Sequence, residues 1–450
     1  MKSVKQMNMT EGSLGDKILR YTIPLIATGI LQQLFNAADL AVVGQYSGKE
    51  AMAAVGSNAP IIGLLVNLFI GVALGSNVVI AKAIGQKDGD RVSDAVHTSI
   101  VISIIGGVLL ALLSEFIAPM IIGLLGVPSE VYPLSLKYLR IYLMGLPVIL
   151  LYNFESSIFR SCGNTRTPLI ALVISGVLNV LLNLFFVTQL GMDVDGVAYA
   201  TVIANVVSSL ILFVSLIKTD LVVKVSPRKL RVHSYVLKTI LLIGIPAGIQ
   251  GSIFSLANIV IQSAVNSLGT IIMAASSAAF NLEIFAYFVI NSFGQACTTF
   301  VGQNFGAGKP ERCRRTLKLC LLQSFIINVV TCALILVFSN QLLGIFNPDP
   351  EVIANGRIRL EYIFFAYLFN FAQETLSGYL RGFGVSFIPA LCSVVGICGI
   401  RLTWIFTVFK ASPTFSTIMQ VYPISLGTTA IVILIVILVL RPSRRMMKNA

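Results

Sequence analysis

Apolar stretches long enough to cross a bilayer recur along almost the whole chain, and charged residues are confined to short segments between them. A membrane-crossing helix needs about 20 mostly apolar residues, because a backbone in hydrocarbon must satisfy its own hydrogen bonds. Windows of that size predict twelve helices, at 18–43, 53–81, 95–118, 134–159, 167–188, 196–217, 239–263, 275–301, 319–340, 356–380, 388–409 and 417–440. The fold class is therefore an all-α polytopic membrane protein. Charged residues make up 11% of 450, against about 25% in soluble domains, so most of the surface meets lipid. The first seventeen residues are polar with both charge signs and do not read as a signal peptide.

Lys and Arg orient the spans. With the N-terminus inside, the inner segments hold 25 of the 32 Lys and Arg, and the outer segments hold 6. Cationic inner loops favour a plasma-membrane protein with both termini cytoplasmic. The net charge of +13 is then explained by anionic lipid headgroups, and no nucleic-acid motif is present. The seven cysteines show no metal-ligand spacing and read as small apolar packing residues.

The second half repeats the first. Met52, Gly85, Arg91, Arg160, Gly163 and Pro168 have counterparts 221 residues on, at Met273, Gly306, Arg312, Arg381, Gly384 and Pro389. In the first helix of each half the offset is 222: Pro24 with Pro246, and Asn36 with Asn258. Six spans per half is an even number, so the repeats are parallel. This predicts two six-helix lobes related by a pseudo-two-fold axis along the membrane normal, with a cleft between them suited to alternating access. The lobes are expected at 1–217 and 239–450, joined by a basic cytoplasmic linker at 218–238.

Several stretches, in order and in register with the repeat, resemble the multidrug and toxic compound extrusion (MATE) family. They are IPLIATGILQQLFNAADLAVVGQYSG, RSCGNTRTP, SGVLNVLLNLFFV, GVAYATVIANV, GQNFGAGK and RGFGVSFIPA. The missing helix-7 acid in GIQGSIFSLAN resembles the DinF-like rather than the NorM-like branch. The resemblance implies export of small amphipathic, often cationic compounds against an inward proton or sodium gradient. It also makes Asp39 the coupling residue. In many DinF-like proteins a second aspartate stands at the position of Asn183.

Charges inside spans are costly and point to function. Gln32, Asn36 and Asp39 share one helix face, and Asp39 has no acidic repeat partner, since its counterpart is Ile261. Asn179 with Asn183, and Thr201 with Asn205, stand at i, i+4 on their helices. The expected coupling set is Asp39, Asn36, Asn179, Asn183 and Thr201. It exchanges H+, or holds Na+ at Asp39, Asn179, Asn183 and Thr201. Glu283 lies at the depth of Arg401 and is expected either to pair with it or to attract cations. Glu155 with Arg160, and Glu374 with Arg381, are expected to form inner-gate ion pairs. Gln33, Asn258, Gln262, Glu283 and Tyr287 are the expected substrate contacts. No nucleophile–base pair or Walker spacing is present, so neither an enzyme nor an organic cofactor is expected, and the chain reads as a monomer. The rival reading is a lipid-linked glycan flippase, which should need a strongly cationic cavity.

Overall fold

The structure, a computed structural model, describes residues 7–124 and 128–443. Lys2, Lys5, Arg444, Arg445 and Lys448, which enter the orientation argument, lie outside these residues. The described chain folds into helices α1 (Gly15–Tyr46), α2 (Lys49–Gly85), α3 (Gly89–Leu124), α4 (Tyr132–Met144), α5 (Leu146–Ser161), α6 (Arg166–Gln189) and α7 (Val194–Lys218). There follow α8 (Ser234–Asn266), α9 (Thr270–Gly306), α10 (Pro310–Val337), α11 (Ser339–Phe346), α12 (Pro350–Gly382), α13 (Phe387–Phe409) and α14 (Phe415–Leu440).

Ten of these are long and apolar enough to cross a membrane, and α4 with α5, bent by 49°, would be an eleventh. The bend falls at Gly145, inside the span expected at 134–159. The remaining expected span is α12, whose 33 residues suffice in length but include Arg357, Arg359, Glu361 and Arg381.

Large apolar side chains cover the outside of the helices, and small polar ones are buried inside among the apolar cores. In α3, Leu112, Leu113, Phe116 and Met120 are exposed, while Thr98, Ser99 and Ser103 are buried. That arrangement suits a lipid solvent, in which small and polar side chains bring helices together. Gly378 of α12 is one such approach: a side chain there would run into the Gly294 carbonyl of α9.

Among the described residues two compact units result, one built on 23–244 and the other on 8–22 with 245–443. The divisions fall inside α1 and α8, each one residue before the repeat-related prolines Pro24 and Pro246. A proline inside a helix removes one i→i−4 hydrogen bond, so both helices change allegiance where their hydrogen bonding is interrupted.

Two findings bear on the expected lobes and linker. In the segment 218–238, Val223 and Val225 are buried in the core of the first unit with Leu221 and Leu230 packed on it. The Ser226 amide donates to His97 Nε2 at 2.9 Å, and the His233 amide donates to Thr98 Oγ1 at 3.1 Å. Apolar residues alternate with the charges of this segment, and those apolar positions are what the unit buries. Residues 8–22, in turn, belong to the second unit. There the carbonyls of Met9, Thr10, Gly12 and Gly15 accept from Asn304, Lys309, Arg312 and Gln323.

Candidate functional site

In the first unit, Gly176 of α6 lacks a side chain where the Phe35 ring of α1 lies, so the two helices approach closely. One turn beyond Phe35, Asp39 is buried, with 8% exposure. Asn183 Nδ2 donates to Asp39 Oδ1 at 2.5 Å, and Thr201 Oγ of α7 donates to Oδ2 at 3.3 Å. Asn179 lies near the same carboxylate. Each helix delivers its polar groups on a single face: Asn179 and Asn183 are one turn apart on α6. Among the described residues no base lies within ion-pair distance of Asp39. The Asn183 amide oxygen is buried and has no hydrogen-bond partner. The structure thus brings Asp39, Asn179, Asn183 and Thr201 together. Asn36, although on the same side of α1, is exposed and makes no hydrogen bond to this cluster among the described residues.

The second unit buries two arginines. Arg359 of α12 meets Glu283 of α9 through two hydrogen bonds, Nε to Oε2 at 3.0 Å and Nη2 to Oε1 at 2.7 Å. Its Nη1 donates to Ser276 Oγ at 2.7 Å. This planar, two-pronged pairing is the strong form of the interaction. It replaces the expected Glu283–Arg401 pair and uses both carboxylate oxygens, so Glu283 is not open to cargo. Arg359 stands in the first turn of the span expected at 356–380 and is only 4% exposed.

Arg401 of α13 is 1% exposed. Its Nε donates to Ser425 Oγ at 3.3 Å and its Nη1 to Asn258 Oδ1 at 3.0 Å. Both acceptors are neutral. The rings of Phe254 and Tyr422 stand 5.0 and 4.5 Å from the guanidinium carbon. Such contacts contribute about 0.5–2 kcal/mol each, against a cost of several kcal/mol for burying the cation. Among the described residues no carboxylate lies within ion-pair distance. Wide π-helical turns at Val394–Gly399 and Ile405–Phe409 flank the turn that carries Arg401.

The other expected residues divide. Glu374 lies 3.8 Å from Arg381, which also donates to Gln250 at 3.0 Å. Spaced by seven residues, the two share a helix face. Glu155 and Arg160, spaced by five, do not. Glu155 instead accepts from Ser209 Oγ at 3.0 Å, and its other oxygen has no partner. That corrects the expected inner-gate pair in the first unit. Asn258 and Gln262 are exposed, and Gln262 donates to Asn266 at 2.8 Å. Gln33 is half-buried. Tyr287 packs on the core between α9 and α12, which sets it among structural residues. Sequence reasoning missed Arg359, Ser276 and Ser209. A buried Glu283 in need of a base was the available signal for Arg359.

A family model for MatE matches the chain twice, over residues 24–185 and 246–407. The chain belongs to the MATE family. Both matches start and end 222 residues apart, which places the internal repeat on the family's own boundaries. Among its relatives, the "Probable multidrug resistance protein YoeA" of Bacillus subtilis is 29% identical over 85% of this chain and 84% of that protein. The "FAD transporter" of Shewanella oneidensis is 26% identical over 76% of each. A crystal structure of a MATE protein in the bent conformation superposes with a TM-score of 0.90 at 23% identity, covering 100% of this chain and 99% of that one. The fold is accordingly that of a MATE membrane transporter, a multi-pass protein built from two helical units.

Proposed function

We propose that this MATE protein is a secondary antiporter that exports small amphipathic molecules by alternating access, in exchange for one monovalent cation, H+ or Na+, taken at Asp39. One observation carries the reading. Asp39 is a carboxylate away from water, held by neutral donors, beside an Asn183 carbonyl oxygen that has no partner. A buried charge without a counter-charge is costly, and a proton or a sodium ion removes that cost. A proton on Asp39 would be matched by rotation of the Asn183 amide, turning its oxygen toward the acid. A sodium ion would use the same oxygen together with Asp39, Asn179 and Thr201.

The bacterial relatives named for multidrug resistance and for FAD transport support transport of organic molecules across the membrane of a bacterial-type cell, and the bias of Lys and Arg toward the inner segments supports cytoplasmic termini. The family resemblance implies cationic cargo. Glu283, the acid such cargo would need in the second unit, is already neutralised by Arg359. An amphipathic body, rather than a positive charge, is then the property that this interior selects.

The test is dye and drug efflux from a sensitive bacterium, with sodium replaced by choline at fixed pH. Loss of efflux in choline assigns Na+. Efflux that persists in choline and collapses with the proton gradient assigns H+. Efflux indifferent to both gradients would refute antiport.

A further inference from the structure

In the C-terminal unit, Arg401 is a buried positive charge with no carboxylate within ion-pair distance among the described residues. Of the unit's two buried arginines, Arg359 consumes Glu283 entirely, and Arg401 is left with an amide, a hydroxyl and two rings. Nη2 of Arg401 has no acceptor among the described residues. The residue it leans on, Asn258, is exposed, and Asn258, Gln262 and Asn266 form an exposed polar line at i, i+4, i+8 on α8. Exposed amides on a membrane helix mark a face that meets water, because lipid penalises them. The apolar exposed residues Ile245, Ile249 and Leu256 mark an adjoining face. Arg401 therefore lies directly behind a water-facing amide.

The repeat sharpens the assignment. The offset is 221 at Pro168 and Pro389 but 222 at the ends of the two family matches. A π turn accommodates one extra residue, and Val394–Gly399 supplies such a turn, whereas residues 172–177 of α6 are regular helix. Counting at 222, Arg401 replaces Asn179, Asn258 replaces Asn36 and Ile261 replaces Asp39. The place that holds an acid and its amide partner in one half holds an apolar residue and a guanidinium in the other.

Resting on the antiport reading above, we infer that Arg401, with Asn258 and Ser425, is a cargo site for an anionic oxygen group, a carboxylate or a phosphate monoester, on an aromatic or apolar body. The guanidinium edge presents paired N–H donors suited to such oxygens, while Phe254 and Tyr422 offer ring surface to the body.

FMN and riboflavin differ by one phosphate and serve as the probes. Their binding is read by flavin fluorescence on the full-length protein in phosphatidylcholine nanodiscs. The expected result is that FMN binds at least about tenfold more tightly than riboflavin, as a charged hydrogen-bonded contact provides. Arg401→Gln should abolish that preference while keeping riboflavin binding, and Arg401→Lys should keep part of it. If Arg401→Gln fails to fold, a reduced preference in Arg401→Lys decides. No preference in the wild-type protein, or an unchanged preference in the variants, overturns the assignment. Dihexanoylphosphatidylglycerol is the competing arm: displacement of FMN by this lipid at concentrations below those at which FMN itself saturates would reassign the site to a lipid headgroup and overturn a soluble cargo. Asp39→Asn should leave the preference intact, so loss of ion coupling and loss of anion recognition are read separately.

Discussion

The two halves of this chain share a fold and differ in the sign of the charge each leaves without a partner. The N-terminal unit keeps Asp39 among amides and a hydroxyl, and the C-terminal unit keeps Arg401 among an amide, a hydroxyl and rings. Duplication supplies equivalent frames, and divergence at two positions, Asp39 against Ile261 and Asn179 against Arg401, turns one frame toward cations and the other toward anions. Arg359 and Glu283 show what a completed pair looks like in the same unit: four buried polar atoms that satisfy one another. Neither lone charge is built that way, and this sets both apart from structural ion pairs.

The comparison breaks first at Asp39. Asp39→Asn should reach the membrane at normal abundance and lose coupled efflux to the level of cells without the transporter. Full efflux by that variant would remove the acid from the mechanism. Next in size is Arg359→Leu, which strands Glu283 and should cost about 3–5 kcal/mol of stability, read as a fall in melting temperature. Adding Glu283→Leu should recover most of the loss, because both charges then leave together. Arg401→Gln should change stability by no more than about 1.5 kcal/mol, since no carboxylate is stranded and a desolvation cost is relieved. A loss as large as that of Arg359→Leu would mean that Arg401 is a packing residue. Smallest is Asn36→Ala, expected within about 0.5 kcal/mol of wild type and with ion coupling unchanged, because Asn36 is exposed and makes no hydrogen bond to the Asp39 cluster among the described residues. Loss of coupling there would bring Asn36 into the ion site during transport.

The helical class, the repeat and the Asp39 cluster were legible because each rests on a period: span length, constant offset, or one helical turn between polar residues. What escaped depends on phase or on local irregularity. Glu155 and Arg160 are neighbours in sequence, yet five residues turn them to different faces. Arg359 lies inside the expected span, where span length alone does not say which way a side chain faces: Arg357 and Glu361 pair on the outside of the helix at 3.0 Å while Arg359 faces inward. The wide turns around Arg401 shift register by one residue, which no fixed offset anticipates. In residues 218–238, basic residues catch the eye while the valines between them carry the burial.

The strand of chain at 8–22, assigned to the C-terminal unit, bears on the order of events during synthesis. Its carbonyls find their donors at Asn304, Lys309, Arg312 and Gln323, some 300 residues downstream. At roughly 5–20 residues per second, this segment waits on the order of 15–60 s before those donors exist. During that interval the N-terminal half must hold its first helix in the bilayer from Pro24 onward alone, so the opening turns of α1 are among the last contacts of the molecule to form although they are among the first to be made.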